Sequence, residues 1–261
     1  MRIVLRATAA AILMLGLVSS AALAGPILPG PWETIEGDYN NAYPFNIAGA
    51  FIPVSSLRYQ QIYGSSAFAG QVLITGMSFR PDDSEFGGAF STILSDVQIN
   101  MSTTTKAVDG LSNTFSENVG ADDKVVYARG PLALSSAFTG AGPKDFDIHI
   151  VFTSSFLYDP LLGNLLLDVR NFGGGFTTYF DAAYSEIDVV SRVSASDVNA
   201  LFPGPDARTD SNDSLGLITQ FDTQDPDPRD ISEVPEPGTC VLVGIGLAGV
   251  ARRVRKGARR S

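Results

Sequence analysis

Between residues 56 and 221 apolar and polar side chains alternate in runs separated by short loops of Gly, Ser, Asp and Pro. A period of two places successive side chains on opposite faces of an extended chain, so each run reads as a strand with one buried and one solvated face. Such runs lie at 57–63, 71–79, 93–101, 124–128, 146–152, 165–170, 186–193 and 215–221. In the third, Ile93, Val97, Ile99 and Met101 share one face, and Asp96, Gln98 and Asn100 share the other. In the fifth, Phe146, Ile148, Ile150 and Phe152 line the inward face, which turns Asp145, Asp147 and His149 outward. A helix-like patch spans 195–202, with Ser196 and Asp197 as its cap and Pro203-Gly204 as its stop. No long apolar stripe with helical spacing occurs between the chain's ends. The expectation is an all-β fold, an antiparallel two-sheet β-sandwich of jelly-roll type, without the fixed repeat of a solenoid or propeller.

The two ends have a different character. Arg2 and Arg6 precede an apolar run at 7–18, and small residues Ala22 and Ala24 follow, which is the layout of a secretory signal peptide cut by signal peptidase after Ala24. That run falls short of the ~20 residues that span a bilayer, so it reads as a removable signal helix. At the other end, Pro235-Glu236-Pro237 leads into an apolar stretch at 240–251 and then the basic cluster Arg252, Arg253, Arg255, Lys256, Arg259 and Arg260. The prolines keep a short extended peptide accessible, the apolar stretch partitions into the membrane, and the basic residues hold the cytoplasmic side. As a helix, 240–251 covers about 18 Å of a roughly 30 Å hydrocarbon core, which suits transient insertion.

This order of motif, short apolar helix and Arg-rich terminus resembles the PEP-CTERM sorting tail of Gram-negative bacteria over about residues 233–260. The resemblance implies recognition by an exosortase, a membrane-embedded cysteine protease or transpeptidase, with cleavage near Pro235-Glu236-Pro237. It implies transient inner-membrane anchoring, then release or attachment at the cell surface or extracellular matrix, in company with exopolysaccharide or biofilm production.

The chain therefore divides into a signal peptide at 1–24, a Pro-rich lead-in at 25–55, a β-sandwich at 56–221, an acidic Pro-rich linker at 222–233 and the sorting signal at 234–261. Residues 25–237 hold ten basic residues against all 28 acidic ones, a net charge of −18. So acidic a surface excludes nucleic acid as a partner, because phosphates require Lys and Arg. It suits solubility, divalent cations, or neutral and cationic polymers. Cys240 is the only cysteine and lies in the apolar tail, and His149 is the only histidine, so metal sites built on Cys or on several His are ruled out.

Catalytic candidates are sparse. A nucleophile triad would need His149 as its base, yet no Gly-x-Ser-x-Gly elbow is present. Glu186 and Asp188 share a strand face and form the best carboxylate pair for glycoside hydrolysis, but read as solvated charges. Asp206, Asp210, Asn212, Asp213 and Ser214 make an oxygen-rich loop without EF-hand spacing: Leu215 and Phe221 stand where the turn glycine and the bidentate glutamate belong. Whether that loop binds calcium is left open by the spacing. The expectation is a non-enzymatic structural or adhesive module with no cofactor. A carbohydrate-binding module, stacking sugars on Trp32, Tyr59, Tyr63, Tyr179 or Tyr184, is the alternative, and a polysaccharide hydrolase comes third.

Overall fold

The computed structural model describes residues 23–51, 53–84, 86–184, 189–196 and 214–226. In chain order the strands are β1 (Leu23–Leu28), β2 (Tyr39–Asn41), β3 (Leu57–Tyr63), β4 (Val72–Phe79), β5 (Phe90–Thr104) and β6 (Lys124–Ser136). They continue with β7 (Ile148–Tyr158), β8 (Asn164–Asn171), β9 (Phe180–Tyr184), β10 (Val190–Ser196), β11 (Leu215–Leu217) and β12 (Thr219–Gln224). All pairings are antiparallel, and the remaining helical structure is four single 3-10 turns among the described residues.

The strands form three sheets rather than the expected two: β1-β12-β4-β7, β10-β3-β8-β5-β6, and a small β11-β9-β2. Apolar side chains from the two larger sheets merge into one buried cluster, as two half-apolar layers require. Tyr63 on β3 meets Phe221 on β12 edge to face at 5.0 Å, and its hydroxyl shares a 2.8 Å hydrogen bond with Thr219. Phe180 of the small sheet packs on Phe45 and Phe79, so this sheet closes one end of the core.

Sequence periodicity and structure part in four places. The lead-in at 25–55 is built into the fold: it supplies part of β1, all of β2 and the buried Phe45 and Ile47. β12 runs to Gln224 between β1 and β4, so the linker begins three residues later than expected. Ala195 and Ser196 complete strand β10, paired to Arg58 and Leu57, rather than opening a helix; residues 197–202 lie outside the described ones. On β5 the register shifts between Leu94 and Val97, where two residues oppose one on β6. This bulge reverses the phase, so Leu94 is buried with Val97, Ile99 and Met101 while Ile93 is 70% exposed.

Part of the outer face of the five-stranded sheet is covered, although Ile93 and alternate residues of β6 stay exposed. Residues 105–123 cross it and bury a polar network. Both oxygens of Asp168 accept from the Arg58 guanidinium, and Oδ2 also accepts from Gln60 Nε2 at 3.0 Å. Gln60 in turn accepts from Asn118 at 2.9 Å, and Asn100 donates to both oxygens of Asp123. Buried polar groups persist when each finds a partner, which this cover provides.

Candidate functional site

The most concentrated charge in the described residues surrounds Arg80, just past the end of β4. Its side chain is buried and stacks 4.8 Å from the Phe146 ring. Nε donates to Asp181 Oδ2 at 2.6 Å, and Nη2 donates to the carbonyls of Trp32 at 3.0 Å and Ile35 at 2.6 Å. Asp181, from β9, takes its second hydrogen bond from the Gly37 amide at 3.0 Å. One guanidinium thus ties the lead-in, β4 and the small sheet together.

Glu36, Asp82 and Asp181 each place a carboxylate oxygen within 4.8 Å of the others. Asp82 Oδ1 accepts from the Ser84 amide at 2.9 Å, and Glu36 Oε1 accepts from the Asp83 amide at 2.8 Å. Glu36 Oε2 is buried without a hydrogen bond. Lys144 Nζ is buried beside the group on the Asp82 carbonyl at 2.6 Å. Hard cations favour such oxygens, and Ca²⁺ takes six to eight. Here Arg80 already supplies the positive charge and holds the Asp181 carboxylate. The arrangement is that of an ion-paired structural centre.

Burial pushes the Asp181 carboxyl up to about 7, and the Glu36 carboxylate adds to that rise against the opposing Arg80 charge and Gly37 amide. Burial also raises Glu36, partly offset by the Asp83 amide and by Arg80. Two carboxyls crowd one guanidinium in a dry site, and desolvation disfavours their charged forms.

The residues singled out from sequence fall differently. Tyr59 and Tyr63 are fully buried, so neither can stack on a sugar. Trp32 and Tyr179 are half-buried, the latter against Phe86 at 5.4 Å. Tyr184 is 46% exposed and lies 6.1 Å from Tyr39, itself 57% exposed, with their rings tilted by 39°. Tyr39 opposes Ala182 across β2 and β9, which brings it diagonally beside Tyr184. Periodicity missed Tyr39 because β2 has only three residues. His149 is exposed, as expected, and its Nδ1 meets the hydroxyl of the buried Ser78 at 2.7 Å.

Of the oxygen-rich loop only Ser214 is described; its hydroxyl donates to Asp109 Oδ1 at 3.1 Å. Asp206, Asp210, Asn212, Asp213, Glu186 and Asp188 lie outside the described residues. So do Ala22, the sorting motif Pro235, Glu236 and Pro237, the apolar stretch and the basic cluster. Ala24 lies in β1, opposite Asp222. Among the described residues no helix is long and apolar enough to cross a membrane.

Residues 233–256 match the PEP-CTERM protein-sorting motif. The chain therefore carries the signal of an exosortase substrate, an exported protein processed by that enzyme. No curated protein and no solved structure matches the chain.

Proposed function

We propose that this is a protein of the cell surface or extracellular matrix whose β-rich body has a non-enzymatic, structural or adhesive role linked to exopolysaccharide or biofilm. The sorting motif at 233–256, eight residues beyond the last strand, is the observation that carries this reading. The arrangement inside the body agrees with it. Arg80 pairs with Asp181 of the carboxylate cluster, and the Ser78 hydroxyl is buried beside His149. Signal peptidase removes residues 1–24, the apolar tail inserts transiently in the inner membrane, and exosortase then processes the chain near Pro235-Glu236-Pro237. The body is a sandwich in the sense that its two large sheets share one core. The test is co-sedimentation of the purified mature protein with exopolysaccharide isolated from the producing strain. Retention in the pellet with the polymer left intact is expected; a soluble protein that shortens the polymer refutes the reading.

A carbohydrate-binding role has its own support in Tyr39 and Tyr184, two exposed rings held on paired strands. Aromatic faces present flat apolar area to a sugar ring. The net charge of −18 for residues 25–237 favours a neutral or amine-bearing polymer over an acidic one. Replacing both tyrosines with alanine is expected to weaken binding to such a polymer by about tenfold or more, read by affinity electrophoresis. Unchanged mobility removes this role and leaves the structural one standing.

A further inference from the structure

The bond proposed for signal-peptide cleavage, Ala24–Gly25, lies inside a paired strand: Leu23 opposes Thr223, and Ala24 opposes Asp222. β1 is the edge of its sheet, with β12 as its neighbour. Gly25 is pressed against that neighbour. A Cβ there would lie 2.6 Å from Thr223 Cγ2 and 2.7 Å from the Phe221 carbonyl oxygen, so only glycine allows β1 to approach this closely. Cleavage would therefore leave the new chain end in the sheet edge.

Asp222, on β12, is half-buried, and among the described residues its carbonyl accepts from Thr75 Oγ1 while its carboxylate takes no hydrogen bond. Burial raises its pKa, and only the charge of His149 works against that rise. Its Oδ2 leans toward β4, 2.6 Å from where a Cβ on Gly76 would stand. A rotation about its Cα–Cβ bond swings the carboxylate across β12 toward β1. Residues directly opposite in an antiparallel pair have Cα atoms about 4.5–5.5 Å apart, so the nitrogen following Ala24 lies within reach.

We propose that signal-peptide removal creates an α-ammonium on Gly25 that pairs with Asp222 and fastens β1 to the sheet. The step is a hydrolysis. Water adds to the Ala24 carbonyl, the Ala24–Gly25 C–N bond breaks, Ala24 leaves with a carboxylate and Gly25 keeps the protonated amine. The pairing rests on the cleavage reading given above. Asp222 on β12 stands opposite the cleaved bond, and His149 on β7, two strands beyond β12, acts on Asp222. β4 presents Gly76 and Ser78, and residues 25–28 of β1 carry no charge.

The experiment begins with the N-terminal mass of the exported protein. A terminus other than Gly25 overturns the cleavage reading and the pairing with it. With Gly25 at the terminus, the α-amine is acetylated selectively in the wild type and in Asp222→Asn. Acetylation is expected to lower the wild-type Tm by about 2–4 °C and to leave the variant's Tm nearly unchanged. Equal shifts in both proteins overturn the pairing alone. The α-amino pKa of the wild type gives a second readout that does not depend on the variant folding. Titration above the ordinary ~7.7–8.0 supports the pair, and titration within that range overturns it.

Discussion

Truncating Asp181 to alanine is expected to destabilise the protein by about 3–5 kcal/mol, because it strands the buried Arg80 guanidinium without its carboxylate. For a body of this size that is a fall in Tm of about 6–20 °C, measured by calorimetry at neutral pH. The loss exceeds that of an exposed pair because both side chains are out of water, with relative exposures of 2% and 0%. The double change Arg80→Met with Asp181→Leu is expected to recover much of the loss, since it leaves no unpaired charge behind. The centre also sets a pH dependence. An acid with a raised folded pKa keeps its proton in the folded state where the unfolded chain has already released it. The contribution of Asp181 is therefore full below about pH 4, declines as pH rises to about 7, and is level above. Asp181→Asn should flatten that decline; an unaltered slope would show that other groups produce it.

Replacing Pro235, Glu236 and Pro237 together with alanine is expected to abolish exosortase processing and leave an unprocessed precursor in the membrane fraction. Proline is about 3 kcal/mol less favourable than alanine inside a helix, so two prolines at 235 and 237 disfavour helix there whatever the neighbouring apolar stretch adopts. Three alanines would remove that preference along with the motif's own side chains. The eight residues between Gln224 and the motif reach at most about 29 Å when fully extended, which limits how far the body can stand from the processing site. Mass spectrometry of the C-terminus with cell fractionation reads the result. An unchanged C-terminal mass and location would sink the processing claim.

Strands such as β7, whose burial alternates from Ile148 to Thr153, were legible because they bury one face, and β3 occurs at the expected 57–63 although both its faces are covered. Their phase was less so, since the extra residue between Leu94 and Val97 is invisible to a fixed period. β9 escaped notice because Phe180-Asp181-Ala182-Ala183 is buried on both faces and so does not alternate. The charged centre was illegible for a different reason. Glu36, Arg80, Asp82 and Asp181 come from segments up to 145 positions apart, and nothing local to any of them announces the others. The chain's delivery was the most legible part, because a sorting signal is a linear peptide that works before and outside the fold.

The place of β12 sets how the protein bears force. If processing leaves the chain attached through its C-terminal side while the body grips a polymer, tension enters at Gln224 and runs along β12. That strand is flanked by β1 on one side and β4 on the other, both antiparallel to it. Hydrogen bonds in such ladders lie perpendicular to the strand, so a pull along it loads them together in shear rather than one after another. Resistance to rupture under flow would then be governed by the rate at which β12 slides out of this slot, rather than by equilibrium stability.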